Sequence, residues 1–177
     1  MKVIMFMAMT TNGMIAREND AEDFLSDENW YEFCRMAKKS GCFVIGRRTY
    51  DVVRKLYEKY NFDDVEARPI VVSRKNPKLP KEYIVAVSPR NAIKMASRIG
   101  FKSMILTGGS NLNSSFMKLK LVDEIIVNVE PAVLGKGIHI FSEENFYSRL
   151  QLLDVRKFKN GIVQLHYKVI NHAKKTR

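Results

Sequence analysis

Three short stretches of this chain each carry an apolar run into residues able to hold an anion. Cys42-Phe43-Val44-Ile45 runs into Gly46-Arg47-Arg48-Thr49, and a helical pattern follows. A strand that ends in glycine and opens a helix aims backbone N–H groups and the helix dipole at a phosphate. The two arginines and the hydroxyl add charge-assisted donors for the same anion. Met104-Ile105-Leu106-Thr107 runs into Gly108-Gly109-Ser110-Asn111-Leu112, where backbone can approach a ligand that a side chain would obstruct. Ile70-Val71-Val72 ends in Ser73-Arg74, the kind of hydroxyl–guanidinium pair that selects a 2′-phosphate. Each stretch taken singly is also a plain turn with exposed polar groups. Together they point to one extended ligand bearing phosphates and lying across a sheet edge, which describes a dinucleotide. The first β-α turn holds no Gly-x-Gly-x-x-Gly, so this is not an ordinary Rossmann domain.

Proton chemistry needs a carboxylate at such an edge. Asp27 is the best placed, in the first turn of a helix that follows a polar loop from Arg17 to Asp23. Tyr31 lies one turn further on the same face. A carboxylate beside an aromatic wall can orient a nitrogen heterocycle and help deliver a proton to it. Serving the helix dipole is the competing role for Asp27 and Glu28, and on spacing alone the stronger one. Two cysteines, Cys34 and Cys42, with three scattered histidines make no metal signature, so no metal is expected.

The elements that must position these residues follow from periodicity and punctuation. Val3–Ala8 is a continuous apolar run, expected as a central strand buried on both faces. Asn12-Gly13 marks a turn. Ser26 is the expected cap of a helix that buries Trp30, Phe33, Cys34 and Ala37 and stops near Gly41. A second helix is expected from Thr49 to about Tyr57. Strands are expected at 69–74 and 83–87, then a helix after the Ser88-Pro89 cap. A further strand at 102–107, a helix to about Lys118 and a strand from Asp123 to Val129 follow. Asn160-Gly161 joins two last runs, 151–158 and 162–170, into a hairpin. The pattern is a three-layer α/β fold: a mostly parallel sheet, helices on both faces and an antiparallel hairpin at its edge. Ligands in such sheets sit beyond the carboxyl ends of the strands, here after Ala8, at Gly46 and at Gly108-Gly109.

At 177 residues, 46% hydrophobic and 28% charged, the chain has the composition of a globular domain and not of a disordered one. We expect one domain over 1–170 and a basic tail over 171–177. No apolar run reaches the length of a membrane span, and the apolar N-terminus is too short for a secretory signal. A cytoplasmic location without membrane association is expected. The net charge of +11 fits a nucleic acid, an anionic small ligand or a lysine-rich surface; no recognised nucleic-acid motif accompanies it. A small-molecule substrate is the expected partner, for a monomer or homodimer.

The run of Ala8…Asn12-Gly13-Met14-Ile15-Ala16, Asp27…Trp30-Tyr31, Val44-Ile45-Gly46-Arg47-Arg48-Thr49-Tyr50, Ile70–Arg74 and Ile105–Gly109 resembles dihydrofolate reductase and its relatives over nearly the whole chain. The resemblance implies an eight-stranded, mostly parallel sheet and hydride transfer from NADPH to dihydrofolate. It implies Ala8, Asn12, Gly13 and Ile15 at the nicotinamide, and Gly46, Arg47, Arg48 and Thr49 at the pyrophosphate. Ser73 and Arg74 would take the adenosine end, and Thr107, Gly108, Gly109, Ser110, Asn111 and Leu112 the middle of the cofactor. On the substrate side it implies Ala8, Asp27 as catalytic carboxylate, Tyr31 as wall, Asn128, and Arg68 for the substrate's anionic tail. Asp20-Ala21-Glu22-Asp23-Phe24 stands where dihydrofolate reductases carry a tryptophan-containing piece, and Leu121–Ile125 and Glu130–Gly137 look more like the related riboflavin-pathway reductase domain, which acts on a ribosylaminopyrimidine phosphate. Gly46-Arg47-Arg48-Thr49 weighs towards the folate branch, which we take as the first expectation. A non-catalytic nucleic-acid-binding module is a third.

Overall fold

Residues 1–56, 60–75 and 77–170 are described by the computed structural model of the chain. The basic tail at 171–177 and the expected end of the second helix at Tyr57 lie outside them. In chain order the elements are β1 (Lys2–Thr10), β2 (Met14–Ala16), α1 (Asp27–Ser40), β3 (Cys42–Gly46), α2 (Arg47–Leu56), β4 (Arg68–Val72) and β5 (Ile84–Ala86). Then come α3 (Pro89–Ile99), β6 (Ser103–Leu106), α4 (Ser110–Lys118), β7 (Glu124–Glu130), β8 (Ile138–His139), β9 (Arg149–Lys157) and β10 (Val163–Ile170).

Eight strands form one sheet in the order β5-β4-β3-β6-β1-β7-β10-β9. Neighbours from β5 to β7 pair in parallel, and β10 runs antiparallel to both β7 and β9. This is the three-layer sheet with a C-terminal hairpin expected from the sequence. The apolar strands divide their side chains with period two. Val3, Met5, Met7, Val44, Ile70, Met104 and Leu106 meet Ala92, Ala96, Phe116 and Met117 of α3 and α4 on one face. Phe6, Phe43, Ile45, Val71 and Ile105 meet Phe33, Met36, Ala37, Tyr50 and Val53 of α1 and α2 on the other. Strands covered on both faces read as unbroken apolar runs because neither parity faces water.

The caps explain where the helices begin and end. Gly41 takes a left-handed conformation (φ 80°) and its N–H reaches the Ala37 and Lys38 carbonyls, stopping α1. Ser88 accepts from the Asn91 N–H at 3.2 Å, and Pro89 opens α3. Ser26 differs from expectation. It occupies the N-cap position of α1, but its hydroxyl donates to Glu130 at 2.7 Å and makes no cap bond. A carboxylate from the neighbouring β7 out-competes the helix N–H groups for it. The sequence also hid β2 and β8, a small antiparallel pair too short to show periodicity. Among the described residues no helix is long and apolar enough to cross a membrane.

Phe43, fully buried in β3, stands edge-on to Phe33 at 5.3 Å and packs on Phe62 at 5.6 Å. Phe43→Ala removes the centre of this cluster and is expected to lower unfolding stability by about 3–5 kcal/mol. Urea denaturation followed by circular dichroism measures it; a loss below about 1 kcal/mol would mean the cluster is not close-packed.

Candidate active site

Parallel pairing sends β4, β3, β6 and β1 to one edge with their carboxyl ends together, and a cavity of about 1090 Å³ opens there. Its first part is a polar track. Gly46 ends β3, and its N–H donates to the Gly108 carbonyl at 2.8 Å, joining the two glycine-bearing strand ends. α2 starts at Arg47 and α4 at Ser110, so two helix N-termini open side by side. Neither helix has an acidic residue in its first turn, which leaves both positive dipole ends uncompensated. A Cβ on Gly109 would lie 2.8 Å from Thr49 Oγ1. Gly46, Arg47, Arg48, Thr49, Ser73, Arg74, Thr107, Gly109, Ser110, Asn111 and Leu112 all line the cavity, and Ala8 and Ile15 line it beyond them.

The arginines are already engaged. Arg47 pairs with Asp51 at 2.7 Å and Arg48 with Asp20 at 2.9 Å. An anion entering this track must exchange with those carboxylates, both of which are accessible. Arg74 and Lys75 at the end of β4 are exposed.

The second part is an aromatic chamber between β1, α1 and α2. Trp30 stacks obliquely on Tyr60 at 5.2 Å and on Phe62 at 5.7 Å, and Phe6, Phe33, Val52, Val53 and Leu25 extend the wall. Asp27 does not line the chamber; its carboxylate accepts from the Tyr60 hydroxyl, and Tyr60 does line it. Tyr31 is 64% exposed and turned to solvent. The stripe of α1 that meets the sheet passes through Asn29, Trp30, Phe33 and Ala37, so the aromatic wall is Trp30, one residue away. Trp30, Tyr60 and Phe62 are the groups that sequence reading passed over; Trp30 carried a signal, as the chain's single tryptophan within an apolar stripe.

Several expected residues stand elsewhere. Arg68 begins β4, opposite Cys42 in the parallel register, which puts it at the amino edge of the sheet, away from the cavity. Asn128 is fully buried behind the wall, donating to Asn29 at 2.8 Å and accepting from Gln164 at 2.9 Å. Asn29, which lines the cavity, in turn donates to Glu130. Asn12 is exposed and donates to the Leu134 carbonyl at 2.7 Å; Gly13, at φ 84°, makes the turn from β1 into β2. Gly108 lies just behind the lining at the same strand end. Among the described residues no group of His, Cys, Asp and Glu could hold a metal, and burial pushes the Cys42 thiol up to about 12, which leaves it no nucleophile.

Glu22, half-buried in the cavity wall, has its carboxyl pushed up to about 7, first by burial and then by the neighbouring Asp20. The folded protein therefore keeps this proton where an unfolded chain, near 4.5, has lost it. Stability from this group is whole below about 4.5 and declines as pH rises to about 7. Glu22→Gln, which cannot ionise, is expected to gain in melting temperature relative to the parent across that interval. A parallel pH dependence of the two melting temperatures would refute the shifted proton.

The chain is similar to several known proteins. The family described as the RibD C-terminal domain matches residues 1–164. The uncharacterised protein YwjB of Bacillus subtilis is 28% identical over 175 residues, covering 94% of this chain and 97% of that one. A Shewanella sp. PV-4 structure named for riboflavin biosynthesis superposes with a TM-score of 0.81 at 20% identity, over 97% of this chain and 100% of that one. A Thermotoga maritima structure, a diaminohydroxyphosphoribosylaminopyrimidine deaminase/5-amino-6-(5-phosphoribosylamino)uracil reductase, gives 0.72 at 18% identity, over 96% of this chain and 56% of that one. The match falls on the riboflavin side of the resemblance, not on the folate side to which Gly46-Arg47-Arg48-Thr49 pointed. The chain belongs to the RibD C-terminal domain family, within the dihydrofolate reductase superfamily.

Proposed function

We propose that this protein is an NADPH-dependent reductase of the riboflavin-pathway type, acting on a ribosylaminopyrimidine 5′-phosphate. The observation that carries the reading is the joint between Gly46 and Gly108. It sets two helix N-termini and a glycine pair beside an aromatic chamber. That is the donor set a dinucleotide needs: backbone N–H groups for the pyrophosphate, and no side chain at Gly109 to obstruct it. Thr49, Ser110 and Asn111 would hold the pyrophosphate, with Arg47 and Arg48 leaving Asp51 and Asp20 to meet it. Ser73, Arg74 and Lys75 would take the adenosine 2′-phosphate, which favours NADPH over NADH. NADPH, when bound, supplies the hydride.

The chain's own groups do the rest. Trp30, Tyr60 and Phe62 flank a planar ring and exclude water from one side of it. Asp27 acts through the Tyr60 hydroxyl, accepting its proton and so fixing the ring that walls the chamber. Glu22, in the cavity wall, has its carboxyl pushed up to about 7 and so keeps a proton close to neutrality, as a general acid requires. The folate reading keeps its place as the alternative, since a pterin also stacks in such a chamber.

NADPH oxidation followed with 5-amino-6-(5-phosphoribosylamino)uracil and, separately, with dihydrofolate decides between them. Turnover of the first and none of the second is the expected result. Turnover of dihydrofolate alone would restore the folate assignment, and turnover of neither would end both. For the cofactor track, Gly109→Ala drives a methyl group against Thr49 and is expected to weaken NADPH binding about tenfold, roughly 1.4 kcal/mol. Titration of Trp30 fluorescence measures it, and unchanged affinity in a folded variant would remove Gly109 from the track.

A further inference from the structure

Alternate side chains of the loop between β2 and α1 turn into the cavity. Glu18, Asp20 and Glu22 line it, while Arg17 and Asp23 pair with each other at 2.7 Å outside the lining. Backbone bonds hold the loop as a unit. The Asp20 N–H donates to the Arg17 carbonyl at 3.0 Å, the Arg17 N–H to the Ala21 carbonyl at 2.8 Å, and the Ala21 N–H to the Asn19 side chain at 3.2 Å. Asp20 takes a left-handed conformation (φ 68°), which aspartate tolerates better than most residues. The position of its carboxylate is set by the loop and not by its ion pair.

From the first turn of α2, one guanidinium nitrogen of Arg48 bridges both oxygens of Asp20, at 2.9 and 3.0 Å. The partners are unequal: the Arg48 side chain is 72% exposed and that of Asp20 25%. A long solvated side chain can swing to another anion, and a carboxylate fixed in a bonded loop cannot follow it. When the pair opens, Asp20 keeps its place and loses its countercharge. Glu22 stands two residues on in the same wall, and the Asp20 charge already disfavours ionisation of its carboxyl while Arg48 is in place. Arg47 differs. Its partner Asp51 lies one turn on in the same helix, so exchange there bares a charge on α2 and none on the loop.

We propose that the Arg48–Asp20 pair couples the cofactor to the acid: when Arg48 leaves Asp20 for a cofactor phosphate, the bared carboxylate draws a solvent proton onto Glu22, and the acid is loaded before the substrate arrives. Resting on NADPH as the cofactor, the coupling has a fixed sign, because bared Asp20 and the cofactor's own phosphates both favour the protonated form of Glu22. Asp20 is a positioning residue here; it acts through Glu22 and touches no reacting atom. The complex holds more protons than the free protein, so NADPH binds more tightly as pH falls. The other charged and titratable groups on the cavity wall are Glu18 of the loop, Arg47 of α2, Arg74 and Lys75 after β4, His139 of β8, Glu143 beyond it, and Tyr60 beside Asp27. Histidine is the type among them that titrates near neutrality, so His139 needs its own control.

Isothermal titration calorimetry of NADPH into the protein, in HEPES and in Tris at about pH 7.5, counts the protons, since the two buffers differ in ionisation enthalpy. At that pH the 2′-phosphate of the cofactor has already lost its second proton. A tenfold gain in proton affinity at Glu22, from about 7, takes up about half a proton per cofactor. NADPH affinity, followed by Trp30 fluorescence, then weakens roughly threefold per pH unit across that range. Glu22→Gln is expected to abolish the uptake and Asp20→Asn to cut it by about half or more. Arg48→Met, which bares Asp20 from the start, is the second variant should Asp20→Asn fail to fold, and it too is expected to lose uptake. NADPH that binds without taking up a proton overturns the coupling and leaves the cofactor assignment standing. So does uptake that survives unchanged in Glu22→Gln or Asp20→Asn, or that His139→Gln abolishes instead. No heat and no fluorescence change on adding NADPH would end both the coupling and the cofactor assignment.

Discussion

The bond from the Gly46 N–H to the Gly108 carbonyl continues the β3–β6 pairing past the point where both strands end. Pairing between the strands reaches Val44 and Leu106; Thr107 donates to Val44 at 3.0 Å and Gly46 to Gly108 at 2.8 Å. The chain leaves β3 directly into α2 and leaves β6 through Gly109 into α4. This short extension of the ladder therefore fixes how far apart the two helix N-termini stand. Side chains at Gly108 and Gly109 would meet Met7 sulfur at 3.0 Å and Thr49 hydroxyl at 2.8 Å, so the approach depends on their absence. The polar track is a consequence of two strands held in register until their last residues.

That register is fixed in turn by the two cores. β3 presents Val44 to one layer of helices and Phe43 and Ile45 to the other, all fully buried. A slip of one residue would exchange the two sets and turn phenylalanine into the layer where valine now stands. Close packing on both sides converts an apolar pattern into an exact strand position, and the strand position into a site.

Features whose signal is local could be read from residues alone. The glycine at each strand end, the Ser88-Pro89 cap, the Asn160-Gly161 hairpin and the buried runs of β1, β3 and β6 all declare themselves within a few positions. The aromatic chamber does not, because Trp30, Tyr60 and Phe62 come from separate segments that only the tertiary fold assembles. Helical spacing placed Asp27 and Tyr31 on one face, but that face is the flank of α1; the stripe through Asn29, Trp30 and Phe33 wins the interior by its greater apolar surface. Arg68 was misplaced for a different reason. Sequence marks where a strand begins and ends only loosely, and in a parallel sheet its first residue lies at the edge opposite the site. The bulge in β9 at Leu153, where the pairing with β10 shifts between His166 and Tyr167, is equally invisible, since a sequence of alternating and doubled aliphatics does not say which face they share.

The wall of the chamber is anchored by polar groups as well as by apolar packing. Gln164 of β10 donates to Asn128 of β7, Asn128 to Asn29 of α1, and Asn29 to Glu130, which also accepts from the backbone and hydroxyl of Ser26. Gln164, Asn128, Asn29 and Glu130 are all buried, so each bond left unmade would cost the desolvation of its group. Apolar contacts would tolerate sliding of α1 along the sheet; a chain of directional bonds ending on a carboxylate does not. The start of α1, with Asp27 and Trp30, is thereby held at one distance from the carboxyl end of β7. Its anchor runs through β10, the inner strand of the C-terminal hairpin. The hairpin thereby holds the chamber wall in place from behind.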